Sequence, residues 1–322
     1  MSWVLDLLGV VLGFVLLAKG SGWLVEGGSV LGRRWGVAPF VVGLTIVAWG
    51  TSLPEVAVSA MAAVKGRPAA SLGNVLGSNM ANIGMVMGTA ALILPAVFSR
   101  RRLLGEGFWL LGSLVLLWVL LADGELGRLE ALLLLGAFVT HYVHLFRGRD
   151  RKAADSSTDT QAPTKGRGAP WRLVLVGSGV IYAGAEAVMW AGTRVAERLD
   201  MGDTFLGLTI LALGSSLPEL FACLTSVRRG DADMSLGNVF GSNVFNTLAV
   251  TGVAGTLSPF GGGEQINLAL SRDFPLCVGF TVLLLVLPSL GLGKANTIVG
   301  KLPGLLLLSC YAAYLIYISL GQ

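Results

Sequence analysis

Long apolar blocks, divided by glycine, proline and short charged runs, split the 322-residue chain into ten candidate spans. They cover residues 4–31, 38–64, 70–97, 104–122 and 128–146, then 171–193, 204–227, 234–258, 273–290 and 299–320. Blocks of this kind, each near the roughly 20 apolar residues that cross a bilayer as a helix, predict membrane-spanning helices. Short alternating strands of the kind a membrane barrel needs are not evident in the pattern. Between the fifth and sixth blocks lies "GRDRKAADSSTDTQAPTKGRGAP", Gly148 to Pro170, which has no apolar period and reads as a flexible linker. The first block has neither a basic run before it nor a small-residue cleavage pattern after it, so it reads as a span and not as a cleaved signal.

Composition agrees with the pattern. Hydrophobic residues make up 54% and charged residues 13% of the chain, and the mean hydropathy is +0.74. Soluble domains carry roughly twice that charge. The 45 glycines suit helices that pack through small side chains in lipid. Cys223, Cys277 and Cys310 all fall in apolar blocks without paired spacing and read as packing residues. Basic residues fall unevenly between alternate loops. Arg33, Arg34, Arg100 to Arg102, the linker cluster, Arg228, Arg229, Lys294 and Lys301 lie on one side, and far fewer on the other. By the positive-inside rule the rich side is cytoplasmic and both termini face outward. The net charge of +4 then reports topology and gives no support to nucleic-acid binding.

An internal repeat organises everything else. Aligning Glu55 with Glu219 sets an offset of 164. Without a gap it pairs "GTSLPE" (Gly50 to Glu55) with "GSSLPE" (Gly214 to Glu219), and "SLGNVLGSNMAN" (Ser71 to Asn82) with "SLGNVFGSNVFN" (Ser235 to Asn246). The chain therefore divides into a first five-helix repeat, residues 1–147, a linker, residues 148–170, and a second five-helix repeat, residues 171–322. Five is odd, so the second copy enters the membrane in the opposite sense. The expected fold class is an all-α membrane protein of ten transmembrane helices arranged as two inverted five-helix repeats, the architecture of secondary transporters.

Each motif puts polar chemistry inside an apolar helix. Pro54 has no N–H to offer the carbonyl of Gly50, so the helix is interrupted beside Thr51, Ser52 and Glu55. Spacings of three and four residues bring those side chains close to one face, and Ser215, Ser216, Pro218 and Glu219 repeat the arrangement. The next span in each copy adds Ser78 and Asn82, or Ser242 and Asn246, also four apart. An ionised side chain at mid-membrane costs roughly 2.5 to 3.5 kcal/mol on insertion scales, so two glutamates at equivalent positions point to a function. Every donor in the set is an oxygen, with no His, Cys or Met, which favours a hard cation such as calcium or sodium. Each serine taken alone could equally bond back to its own helix. Asn79 and Asn243 lie on a different face and read as helix contacts.

"GTSLPE" followed by "GNVLGSNMAN", and "GSSLPE" followed by "GNVFGSNVFN", resemble the paired alpha repeats of the calcium/cation antiporter superfamily, most closely its prokaryotic sodium/calcium exchanger branch. The resemblance implies an antiporter that exchanges calcium for sodium by alternating access, with long first and sixth helices that slide against the core. It also implies a ligand set of Thr51, Ser52, Glu55, Ser78 and Asn82 with Ser215, Ser216, Glu219, Ser242 and Asn246, joined by the main-chain oxygens of Ala48 and Ala212. Some relatives carry Asp where this chain has Asn246, so two fixed carboxylates are expected here, and this argues against potassium dependence.

The expected partners are calcium and sodium ions and the lipid bilayer. No cofactor and no obligatory protein partner is indicated. Proton-coupled antiport of calcium or another divalent cation is the alternative reading, since buried glutamates can titrate. A passive channel fits less well, because a filter usually comes from an oligomeric ring. An enzyme is not expected, because no nucleophile with a nearby base is present. Lys19 reads as a snorkelling or packing residue, and His141 and His144 as interfacial.

Overall fold

The structure, a computed structural model, describes residues 3–93, 96–147, 169–198, 212–290 and 296–320. The linker up to residue 168 and the first part of the seventh predicted span lie outside the described residues. The first repeat contributes α1 (Trp3–Trp35), α2 (Pro39–Thr51), α3 (Leu53–Val64), α4 (Pro68–Ile93), α5 (Arg100–Leu120) and α6 (Arg128–Arg147). The second contributes α7 (Pro170–Arg198), α8 (Ala212–Ser215), α9 (Leu217–Arg228), α10 (232–257), α11 (264–290) and α12 (Lys301–Leu320). Among the described residues, seven helices are long and apolar enough to cross a membrane, and the bent pair of α2 and α3 makes an eighth. The chain is a multi-pass, predominantly helical membrane protein.

The interruption expected beside Pro54 is present: the helix of the predicted span over 38–64 bends by 48° at Ser52. Pro54 occupies the first turn after the bend, where its missing N–H does no harm. The molecule also holds a short antiparallel ribbon, β1 (Ala96–Ser99) with β2 (Asn296–Val299), where a purely helical fold was expected. Val97, Thr297, Ile298 and Val299 are β-branched and favour extended backbone. A single bridge, Leu126 with Phe260, joins another pair of connections. At the offset of 164, Phe260 is the counterpart of Ala96, so the same connection of each repeat is tied by backbone pairing.

α1 runs 33 residues, about 50 Å of helix, which exceeds a bilayer core of about 30 Å and requires tilt. It lies along α7 through glycines at seven-residue intervals. A methyl group at Gly13, Gly20 or Gly27 would sit 2.8 Å from the carbonyl of Gly184, Gly177 or Pro170 respectively. The partners descend as the first set ascends, so the helices are antiparallel, in backbone contact at three successive levels. Outer faces carry exposed Leu, Val and Phe, as lipid-facing surfaces should. Lys19 is exposed on such a face.

α2 meets α10 just as closely. A β-carbon at Gly237 would collide with the backbone of Phe40, and one at Gly241 with the backbone of Leu44. Rigid main chain cannot move aside, and so these positions must stay small. Beside this contact α2 widens into a π turn over Gly43–Val47, while α4 does so over Asn82–Met87 and α10 over Phe245–Val250. Such turns re-aim side chains and are common at functional sites.

Gly237→Val is expected to abolish recovery of monodisperse protein in detergent, because overpacking already costs about 1 to 3 kcal/mol where side chains can yield and more where backbone blocks them. Gly136→Ala, which meets no atom within 4 Å, should unfold at or above the wild-type temperature in the same thermal assay.

Candidate cation site

The two interrupted helices and the two that follow them converge in the interior. Glu55 and Glu219 both have zero exposure. Neither has an ion-pair partner among the described residues. Their surroundings are hydroxyls drawn from both repeats. Ser78 donates to Glu55 Oε1 at 2.9 Å and also meets Ser216 Oγ at 3.1 Å. Ser52 donates to Glu219 Oε1 at 2.8 Å, and Ser242 to the same oxygen at 3.4 Å. Ser52 and Ser78 thus reach across to the opposite repeat, which sequence spacing alone left open. Each glutamate is held by a serine of the other half or of its own following helix, and both carboxyl groups face one shared centre.

Local sequence explains the placement. Ser52 and Ser216 sit at the breaks, with φ and ψ of −84° and 14° and of −90° and 0°, so each hydroxyl leaves the helix and points inward. The glutamates follow in the first turn of α3 and of α9, at the positive end of the helix dipole, which favours a carboxylate. Thr51 turns back to its own helix, donating to Ala48 O at 3.2 Å, and lies 3.4 Å from Asn238 Oδ1. Ala48 O also accepts from Ser52 N at 3.0 Å, so both its lone pairs are engaged in this structure. Ser215 is buried and lies within hydrogen-bonding reach of Glu55. Ala212 lies in α8.

Several buried polar atoms have no hydrogen-bond partner: Glu55 Oε2, Glu219 Oε2, Asn82 Oδ1, and both Oδ1 and Nδ2 of Asn246. Native interiors rarely leave such atoms unsatisfied. Here the set is dominated by oxygen, lies beside two carboxylates, and lacks a protein cation. An uncompensated pair of buried charges is too costly to persist, so the pocket calls for positive charge, as a metal cation or as protons. No group of three or more His, Cys, Asp and Glu exists among the described residues. The remaining donors are hydroxyl and carboxamide oxygens, which suit a hard cation.

Four contributors escaped the sequence reading. Asn74 donates to Glu55 O at 3.4 Å and Asn238 to Glu219 O at 3.3 Å, so each repeat steadies the backbone of its own glutamate. Their signal was present, because Asn74, Ser78 and Asn82 continue one face at four-residue spacing, as do Asn238, Ser242 and Asn246. Tyr142 of α6 donates to Leu44 O at 2.9 Å and accepts from Trp49 Nε1 at 2.8 Å, propping the π turn of α2. Thr247 joins the two asparagines Asn79 and Asn243 beside the pocket. Nothing in the spacing of these last two distinguishes them. His141, near the end of α6, is buried against Trp109, with its Nε2 4.0 Å from Glu106. The aromatic wall of α5 covers it.

The α1 and α7 pair closes on this centre through the motif glycines. A methyl at Gly50 would meet Ser178 Oγ at 2.5 Å and Leu24 at 2.8 Å, while one at Gly214 would meet Met189 at 2.6 Å. The tilted pair therefore lies directly on both interrupted helices.

Comparison with known proteins gives a consistent result. The inner membrane protein YrbG of Escherichia coli is 33% identical over 285 residues, covering 86% of this chain and 87% of that protein. The sodium/calcium exchanger MaX1 of Methanosarcina acetivorans is 29% identical over 348 residues, covering 95% and 96%. A solved structure of the sodium-calcium exchanger NCX_Mj, soaked without sodium and calcium, superposes with a TM-score of 0.79 at 26% identity, covering 99% of both chains. The profile of the family described as sodium/calcium exchanger protein matches residues 5–147 and 170–320. That match takes in both motifs and nearly all of both halves, and the chain belongs to the sodium/calcium exchanger family, within the calcium/cation antiporter superfamily.

Proposed function

We propose that this protein exchanges calcium for sodium across the inner membrane by alternating access at the shared pocket. The observation that carries the reading is the pairing of Glu55 and Glu219, one from each repeat, in a single buried cage of oxygens that contains no protein cation among the described residues. Two carboxylates balance one calcium or two sodium ions, so the two cargoes compete for one set of charges. Glu55, Glu219, Ser52, Ser78, Ser216, Ser242, Asn82 and Asn246 are the proposed side-chain ligands. Thr51, Ser215 and the carbonyls of Ala48 and Ala212 complete the set, and Ala48 O joins it by releasing the Thr51 hydroxyl.

The proposed architecture is ten spans in two inverted repeats, with residues 1–147 and 171–322 as the halves and 148–170 as a cytoplasmic linker. Antiparallel packing of α1 with α7 supports the inversion, as does the backbone pairing at β1 and at its counterpart Phe260, each with a connection of the opposite repeat. Inverted repeats supply two access states by exchanging their conformations. Contact of the α1 and α7 pair with Gly50 and Gly214 makes it the moving part that uncovers the pocket from either side. Unequal loop charge supports an orientation with both termini outside.

Glu55→Gln and Glu219→Gln should each lower sodium-driven calcium flux in proteoliposomes by about 100-fold or more, since each removes half the charge that balances the ion. Both proteins should retain the wild-type elution profile, and normal exchange by both variants would refute the site. Separately imposed gradients identify the coupling ion. A sodium gradient alone should drive calcium accumulation, a potassium gradient should not, and accumulation driven by a proton gradient alone would establish the proton-coupled alternative.

A further inference from the structure

The two repeats offer the pocket chemically identical asparagines, Asn82 and Asn246, and yet treat them differently. Asn82 Nδ2 donates to Asn243 Oδ1 at 3.0 Å, which aims its unpartnered Oδ1 away from that bridge. At the repeat offset of 164 the equivalent bond runs from Asn246 Nδ2 to Asn79 Oδ1. Neither of those atoms has a hydrogen-bond partner. One bridge is made and its counterpart is not.

A second pair of equivalents shows why. Asn243 Nδ2 donates directly to Asn79 O at 3.4 Å. The equivalent direct bond, from Asn79 Nδ2 to Asn243 O, is replaced by a relay: Asn79 Nδ2 donates to Thr247 Oγ1 at 2.8 Å, and Thr247 Oγ1 donates to Asn243 O at 2.8 Å. Position 83, the counterpart of 247, is isoleucine, which can relay nothing. Thr247 is fully buried, and its hydroxyl uses its one proton and a lone pair in this relay. By holding the Asn79 amide nitrogen, together with the Cys277 thiol that the same side chain engages, it fixes the orientation of that carboxamide with Oδ1 out of use.

We propose that Thr247 is a positioning residue that makes the pocket unequal: through Asn79 it keeps the Asn246 carboxamide unbridged and able to turn its oxygen to the bound cation, while Asn82 is held in one orientation. The inference rests on the reading of this pocket as a calcium and sodium site. A rigid ligand on one side and an adaptable one on the other lets one cage serve ions that differ in charge and in the number of oxygens they need. The consequence lies in selectivity, not in folding.

Thr247→Val keeps the shape and removes the relay. Asn79 then keeps only its contact with Cys277 and can turn to bridge Asn246, as Asn243 bridges Asn82. In equilibrium titrations of the purified protein, with calcium alone and with calcium against sodium, the ratio of the two apparent affinities should shift by about threefold to tenfold, the worth of one buried hydrogen bond. Thr247→Ser should restore the wild-type ratio. In an Asn79→Ala background Thr247→Val should cause no further shift, because the effect travels through Asn79. Thr247→Ile, which installs the first repeat's residue, gives an independent second variant should valine yield no folded protein. An unchanged ratio in a folded Val or Ile variant, failure of Ser to restore it, or a full shift in the Asn79→Ala background would each overturn the proposal. These titrations do not depend on coupling: calcium binding without sodium-driven flux would remove the exchange reading and still decide the role of Thr247, whereas loss of calcium binding in the wild type would remove both.

Discussion

Two buried carboxylates with no protein cation beside them set the terms for the whole molecule. Glu55 and Glu219 lie in an interior with no exposure, and their serine partners satisfy only one oxygen of each. A hydrogen-bonded serine lowers the cost of a buried charge without cancelling it. The balance must come from a cation or from protons, and the proposed exchange cycle would supply it.

Close backbone packing makes the charged centre possible. Gly237 and Gly241 let α10 reach the main chain of α2, and this contact brings elements of both repeats together. The breaks at Ser52 and Ser216 then turn hydroxyls inward, and each glutamate starts a fresh helix with its dipole behind it. α1 and α7 meet through glycines and Pro170 at seven-residue intervals, with Val188, Ile181 and Val174 of α7 seated against Gly13, Gly20 and Gly27 of α1.

Pseudo-symmetry holds at the backbone behind the two glutamates and is broken around it. Asn74 and Asn238 steady equivalent carbonyls at nearly equal distances, 3.4 and 3.3 Å. Tyr142, by contrast, props the π turn of α2, and the residue at the same offset in the second repeat is Leu306. Thr247 stands opposite Ile83. Two states of an exchanger built from inverted halves would be energetically equivalent if the halves were identical, so differences of this kind are where preference between states and between ions can reside.

Apolar blocks of about 20 residues, an ungapped repeat around two acidic motifs and a purely oxygen donor set were enough to determine from sequence that the chain spans the membrane many times and that Glu55 and Glu219 belong to one chemistry. These features are local or periodic, and lipid imposes them directly on composition. The four-residue spacing of Ser78 and Asn82 was equally legible, whereas Asn74, on the same face, was overlooked. Which serine crosses to which glutamate, the burial of His141 under Trp109, the prop supplied by Tyr142 and the relay through Thr247 became visible only in three dimensions. Each depends on helices distant in the chain coming within 3 to 5 Å of one another, and no spacing along a single helix encodes that approach.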